Sequence, residues 1–323
     1  VKQTQQSYEK HACWRPSASL AALKARAQLN KTVRRFMQTR GILEVETPAL
    51  SQAGNTDPAI NSFAVDTYHA MRYLHTSPEY PMKRLLAAGS GDIYQLCKVW
   101  RQDESGRRHN PEFSLLEYYR VGFSYQRLMH EVAAVLHHLL PQLQKTPQWR
   151  TYRDCFLESF AIDPHLASEA QLAHLAEQQG LDVTGALTHQ AWCDLLFSHC
   201  IEPQFAPDRL TFVHQYPAAQ AALAELQPLE HYWVSQRFEV YLGAMELGNG
   251  YQELTAAAAN WAKLHSDACQ QDQSVPIDWR FLTALQAGMP RSAGVAIGLD
   301  RVLLCKLGTD SLARVLSFAW ELA

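Results

Sequence analysis

Between residues 19 and 40 the apolar side chains Leu20, Leu23, Ala27, Val33, Phe36 and Met37 recur close to helical spacing, and Gly41 follows as a stop. The spacing predicts an amphipathic helix. A short strand, "ILEVE" (42–46), comes next and ends at Thr47-Pro48. Strand patterns recur at 93–101, 112–120, 210–217, 237–254 and 294–299, with helical patterns at 124–140, 168–179 and 300–307. Strands joined by hairpins, with helices around them, predict an α+β domain built on an antiparallel sheet. Residues 141–209 are richer in helix signals, so we read 1–323 as one domain with a mostly helical insertion there. There is no internal repeat and no low-complexity linker.

Composition narrows the function. The chain has 323 residues, 47% hydrophobic and 19% charged, which is ordinary for a globular protein. A net charge of -3 argues against a general nucleic-acid binder. No apolar run reaches membrane-span length, and the start lacks a signal-peptide layout, so the expected compartment is the cytoplasm. Seven cysteines without a C-x-x-C fit reduced thiols better than disulfides or zinc. No H-E-x-x-H occurs, and adjacent His137 and His138 cannot share a metal on one helix face.

The stretch "WRQDESGRRHNPEFSLLEYYR" (100–120) concentrates four arginines, a histidine and four carboxylates. On a strand, residues two apart share a face, so Phe113, Leu115, Glu117 and Tyr119 line one side. The loop before them carries Arg107, Arg108 and His109, which could hold an anion while an aromatic ring lies beneath it. That arrangement suits a nucleotide; a solvated charged hairpin is the alternative.

In "FEVYLGAMEL" a two-residue turn at Leu242-Gly243 would set Glu239 opposite Glu246, with Cβ atoms about 4.5–5.5 Å apart. Facing carboxylates repel. A hard divalent cation that also holds phosphates would relieve this, and so would two side chains turned to water. Gly248-Asn249-Gly250 invites a bulge that would bring Asn249 and Glu253 to the Glu246 side. Finally, "AGVAIGLDR" ends a strand in small residues and opens a helix near Asp300, a combination that lets a phosphate approach.

These segments resemble the three motifs of class II aminoacyl-tRNA synthetases: "RGILEVETPAL", "WRQDESGRRHNPEFSLLEYYR" and "GVAIGLDR", in that order. The lysyl branch is closer, through "SPEYPMKRLL", "HNPEF" and "ELGNGYQELT". Only about 40 residues precede the first motif, where lysyl-tRNA synthetases carry an anticodon-binding OB domain of roughly a hundred residues. The chain therefore looks like the free-standing ligases of this branch, which attach (R)-β-lysine to a lysine of elongation factor P. Ser77 and Ala296 match that family, where lysyl-tRNA synthetases have alanine and glycine.

The resemblance implies a class II catalytic core that uses ATP and Mg2+. Arg101 would hold the α-phosphate and the substrate carboxylate, Phe113 would stack on adenine, and Arg301 would take the γ-phosphate. Gln102, Asp103, His109, Asn110, Leu247 and Gly298 would complete the ATP site. Glu239 and Glu246 would hold magnesium, which leaves Arg101, Arg301 and Glu246 as the catalytic set. Ser77, Pro78, Glu79, Glu117, Tyr119, Asn249, Glu253 and Ala296 would contact the diamino acid, (R)-β-lysine or more weakly α-lysine. Partners would be elongation factor P and a second copy of the chain, joined around Glu44 to Pro48, with neither tRNA nor a membrane involved. Three positions depart from the pattern: Gln102-Asp103 replaces the usual N-E, Ala256 replaces an aspartate, and "LSFAW" replaces an F-P-R-like finish. A truncated lysyl-tRNA synthetase and a nucleotide-binding regulatory relative are the alternative readings.

Overall fold

The computed structural model describes residues 14–143, 145–271 and 275–323. Its centre is an eight-stranded sheet: β1 (Leu43–Glu44), β2 (Ile93–Trp100), β3 (Glu112–Val121), β4 (Gln148–Thr151), β5 (Leu210–His214), β6 (Arg237–Leu242), β7 (Met245–Gln252) and β8 (Ser292–Gly298). The spatial order is β1-β2-β3-β8-β7-β6-β5-β4. Pairing from β2 through β5 is antiparallel throughout, and only the two edge pairs, β1 with β2 and β4 with β5, are parallel. The molecule is thus α+β with a mainly antiparallel sheet flanked by helices.

Nine helices surround it: α1 (Leu20–Thr39), α2 (Glu79–Ala87), α3 (Tyr125–Leu139), α4 (Tyr152–Phe160), α5 (Glu169–Gln178), α6 (His189–Leu196), α7 (Ala257–Ala268), α8 (Trp279–Gly288) and α9 (Leu299–Leu307), counted among the described residues. α1 starts where Ser19 accepts a hydrogen bond from the Ala22 amide at 3.2 Å. It stops at Gly41, whose φ of +67° only glycine adopts cheaply. No helix among the described residues is long and apolar enough to cross a membrane.

Alternation along the strands gives the sheet two unlike faces. Leu116, Tyr118, Phe238, Val240, Val295 and Ile297 point into the main core, packed with α1, α3 and α9. The residues between them face the other way. There α2, α7 and α8 cover one end through Met82, Leu264, Phe281 and Leu285. At the β5 end, α4 to α6 gather their own apolar cluster around Tyr152, Phe156 and Phe197, joined to the sheet by Val213 and Tyr241. The gap left between these two groups is where the site lies.

Several expected boundaries move. "ILEVE" pairs only through Leu43 and Glu44, and the 210–217 strand ends at His214 because Gln215 turns with φ +57°. The Gly243 turn (φ +56°) pairs Leu242 with Met245 and Tyr241 with Glu246. Glu239 and Glu246 are therefore not opposite one another, and Asn249 stands across from Glu239 instead. The register shift between Val240 and Tyr241 leaves Leu247 as the bulged residue, one position before the glycines that suggested it.

Candidate functional site

One lateral row crosses the open face. Glu117 on β3 pairs with Ala296 on β8, Ala296 with Asn249 on β7, and Asn249 with Glu239 on β6. Paired residues share a face, so four candidate positions scattered from 117 to 296 stand side by side. The bulge makes this possible. Without the extra residue, Glu246 and Asn249 would point to opposite faces.

Above this row lies a cavity of about 390 Å3, lined by Ser77, Glu79, Glu117, Tyr119, Asn249, Glu253 and Ala296 together with Arg101, Glu239 and Glu246. Glu117 is buried. It accepts hydrogen bonds from the Ser77 hydroxyl at 2.9 Å and the Tyr119 hydroxyl at 2.6 Å. Burial, then the charge of Glu79, pushes its carboxyl up to about 7, while the two hydroxyl bonds pull the other way. Glu253 is 1% exposed, and burial raises it despite the opposing pull of Lys83. Glu79 opens α2, with its amide bound to the Ser77 oxygen at 3.0 Å, and accepts from Tyr251 as well. On the row beyond Ala296, Gly294 lies between Tyr119 and Tyr251. A Cβ there would stand 2.5 Å from the Tyr119 ring and would also collide with Glu253, so the glycine makes room for the pocket's own walls.

A second cleft of about 190 Å3 adjoins the first across Glu246, Asn249 and Ala296, with Arg101 bordering both. Phe113, Leu247 and Gly298 form its apolar side; Arg108, His109, Asn110 and Arg301 form its polar side. The Arg101 guanidinium lies 5.1 Å from the centre of the Phe113 ring. Arg301 donates to the Glu246 carbonyl at 2.9 Å, to its carboxylate at 3.2 Å, and to His109 Nε2 at 2.8 Å. Burial and the neighbouring Arg301 hold His109 below its ordinary value, so the ring stays neutral and accepts. Buried Asp300 receives the Ser114 amide at 2.8 Å and pairs with Arg26, which ties Phe113's strand to Arg301's helix. The closing segment also contributes: Leu312 lines the cleft, and its amide binds the Arg107 carbonyl at 3.0 Å.

Three expected contacts stand elsewhere. Gln102 and Asp103 are exposed and bridge to Asn61, and Glu104 lines the cleft in their place. Asp103 takes φ +67°, which turns its side chain out of the strand line. Pro78 is buried at the N-cap of α2 and lines neither cavity. The cationic cluster of the 102–111 loop is also thinner than its sequence suggests. Arg107 pairs with Asp310, leaving Arg108 in the cleft, and Lys98 on β2 pairs with Glu112.

For a metal, Glu239 and Glu246 offer hard oxygens on one face. Glu239 is already held by Arg237 at 2.6 Å and by the Tyr216 hydroxyl at 2.7 Å, whereas Glu246 has one oxygen outside its Arg301 pair. No group of three or more ligating side chains forms a cage among the described residues. This donor set fits an ion whose shell is completed by phosphates, which is how magnesium is usually bound.

Sequence reasoning missed Lys83, Tyr251, Arg237 and Gly294. Two signals could have found them. Tyr251 and Arg237 lie two residues from Asn249 and Glu239 on the same strands, and Lys83 lies one helical turn beyond Glu79. Ala256, in place of an acid, sits at the N-cap of α7 with no side-chain hydrogen bond, so the missing aspartate is a missing cap.

Residues 2–321 match the family model of class II tRNA synthetases (D, K and N). The elongation factor P–(R)-β-lysine ligase of Edwardsiella ictaluri is 41% identical, covering 97% of this chain and 99% of the relative. The ligase of the same name from Pectobacterium carotovorum subsp. carotovorum is 42% identical over 96% and 98%, and that from Histophilus somni 42% over 94% and 97%.

Proposed function

Given that the chain belongs to the class II tRNA synthetases, and within them to the elongation factor P–(R)-β-lysine ligases, we propose that it activates (R)-β-lysine with ATP and transfers it to a lysine of elongation factor P. It is an ATP-dependent ligase with elongation factor P as its protein substrate. The substrate carboxylate attacks the α-phosphorus, pyrophosphate leaves, and a mixed anhydride with AMP results. The acceptor amine then attacks the carbonyl carbon, AMP leaves, and an amide remains. Positioning and charge neutralisation carry both steps, with no protein nucleophile.

In this reading Arg101, at the border of the two cavities, meets the substrate carboxylate and the α-phosphate together. Phe113 stacks on adenine against Leu247 and Gly298, Asn110 borders the ring, and Arg301 with His109 faces the γ-phosphate. Glu246 and Glu239 would hold magnesium, which neutralises phosphate charge when bound. Glu79, Glu117 and Glu253, with Ser77, Tyr119 and Asn249, receive the two ammonium groups. The chain acts as one catalytic unit with 141–209 inserted in it, works in the cytoplasm, and pairs with a second copy along the β1 edge, where Leu43 and Leu50 are exposed. The acceptor is the protein and not tRNA, since a net charge of -3 provides little surface for a long phosphate backbone.

The observation that carries the reading is the cavity's composition: the carboxylates of Glu79, Glu117 and Glu253 and the guanidinium of Arg101 line one cavity. A molecule with two ammonium groups and one carboxylate satisfies all of them, and leaving either ammonium unpaired there is costly. The test is pyrophosphate exchange with a panel of amino acids, followed by labelled (R)-β-lysine offered to elongation factor P and bulk tRNA together. We expect exchange with lysine-like diamino acids and label on the protein. Label on RNA alone would overturn the assignment.

A further inference from the structure

Lys83 is fully buried on α2, behind the wall of the diamino-acid cavity. Its Nζ lies 2.7 Å from Glu79 Oε1 and 2.5 Å from Glu253 Oε2. The rings of Tyr251 and Phe281 close around it, 5.2 Å and 5.9 Å from Nζ to ring centre. Burial alone would strip the proton from such a lysine, yet the two carboxylates hold it in the charged form. Both of those carboxylates also line the cavity, so this ammonium shares its partners with whatever the cavity binds.

We propose that Lys83 is a specificity-determining positioning residue, an internal ammonium that aims Glu79 and Glu253 and so sets the cavity to accept a diamino acid. The geometry is direct: Lys83 takes Glu79 Oε1 and Glu253 Oε2, leaving the second oxygen of each carboxylate for a ligand ammonium. Remove Lys83 and buried Glu253, already raised by burial, takes up a proton rather than stay unpaired. A protonated acid no longer attracts an ammonium over an uncharged group of the same size. The proposal rests on the diamino-acid reading above.

The test compares (R)-β-lysine with 3-aminoheptanoic acid, in which a methyl replaces the terminal ammonium, by pyrophosphate exchange in wild-type protein and Lys83→Met. Met keeps the stem and removes the charge. We expect discrimination, as the ratio of kcat/KM values, to fall by roughly 10- to 100-fold, mostly through KM for the diamino acid. A purely packing role would lower both substrates together; an unchanged ratio in a folded variant overturns the proposal. Should Lys83→Met not fold, Lys83→Ala is assayed with added propylammonium and with propanol as the uncharged control. Recovery of discrimination by propylammonium alone supports the proposal, and equal recovery or none overturns it. The wild-type arm separates the two readings, since a wild-type protein that activates no diamino acid sinks the functional assignment itself.

Discussion

The proposed nucleotide cleft and the proposed diamino-acid pocket meet along Ala296 and Asn249, yet they are built on opposite principles. The cleft gathers three arginines, and its lining comes mainly from 101–115, 246–249 and the turn into α9, with Leu312 from the closing segment. The pocket is anionic, with Glu117 and Glu253 buried in its wall, and its members come from α2 and from three strands spread over more than two hundred residues. On our proposal one region binds an anion that brings its own charge and metal. The other must keep several carboxylates out of water before any ligand arrives, which burial opposes. Charge in the cleft should therefore affect rate, and charge in the pocket should affect folding as well.

The sharpest check of that contrast is Glu253→Gln. It leaves Lys83 with one partner in a fully buried site, and breaking such a pair costs about 3–5 kcal/mol. We expect a loss of that size in denaturant unfolding, together with a raised KM for the diamino acid. If stability held within about 1 kcal/mol, the pocket would not be the strained region described.

Arg301→Ala is the counterpart in the cleft. Its side chain is 23% exposed and its ion pair with Glu246 is of the kind worth little to folding. Exchange should fall roughly 10²- to 10³-fold, the cost typical of removing one group that meets developing charge. The melting temperature should barely move. A large drop in thermal stability would remove the distinction between the two regions.

At their border, Ala296 places a methyl between Glu117 and Asn249, where the backbone end of the substrate would lie. Ala296→Gly should favour α-lysine over (R)-β-lysine, because an α-amino group needs space that a β-amino group, one carbon further along, does not. A methyl-sized difference is worth about 1–3 kcal/mol, or roughly 10- to 200-fold. The ratio of the two exchange rates measures it.

The same contrast explains what could be read in the chain. Cleft residues sit close together in sequence and carry charge patterns of their own, so Arg101, His109, Phe113 and Arg301 were visible. For the sheet, α1, α3 and α5 were legible within a residue or so at each end, because their apolar spacing is regular. Five helices were not singled out, among them α2 and α8, which pack against the pocket rather than forming a long amphipathic stripe. The pairing of Glu239 depended both on where the turn at Gly243 began and on the bulge at Leu247, and a shift of one residue in either changes its partner. Lys83 stayed hidden for a related reason. A lysine one turn after a glutamate ordinarily reads as a surface pair, and only the fold shows that a third partner arrives from β7's end.

The smallest expected effect uses pH. Burial and the charge of Glu79 push Glu117 up to about 7, so in the free pocket it is about half protonated at neutrality. An ammonium binds the ionised form, so KM for the diamino acid should rise as pH falls through 7, approaching tenfold per unit below that point. Stability responds with the opposite sign. The folded value lies above the ordinary carboxylate value, so this group's contribution is full at low pH and is lost as pH rises through about 7. Free protein should gain stability from Glu117 on going from pH 8 to 6, while protein saturated with substrate should show no such gain. In the cleft His109 is held below its ordinary value, so it should contribute less to any change in KM for ATP over the same window. Paired KM profiles and melts with and without substrate measure all of this. A diamino-acid KM that is flat between pH 6 and 8 would show that Glu117 does not meet an ammonium.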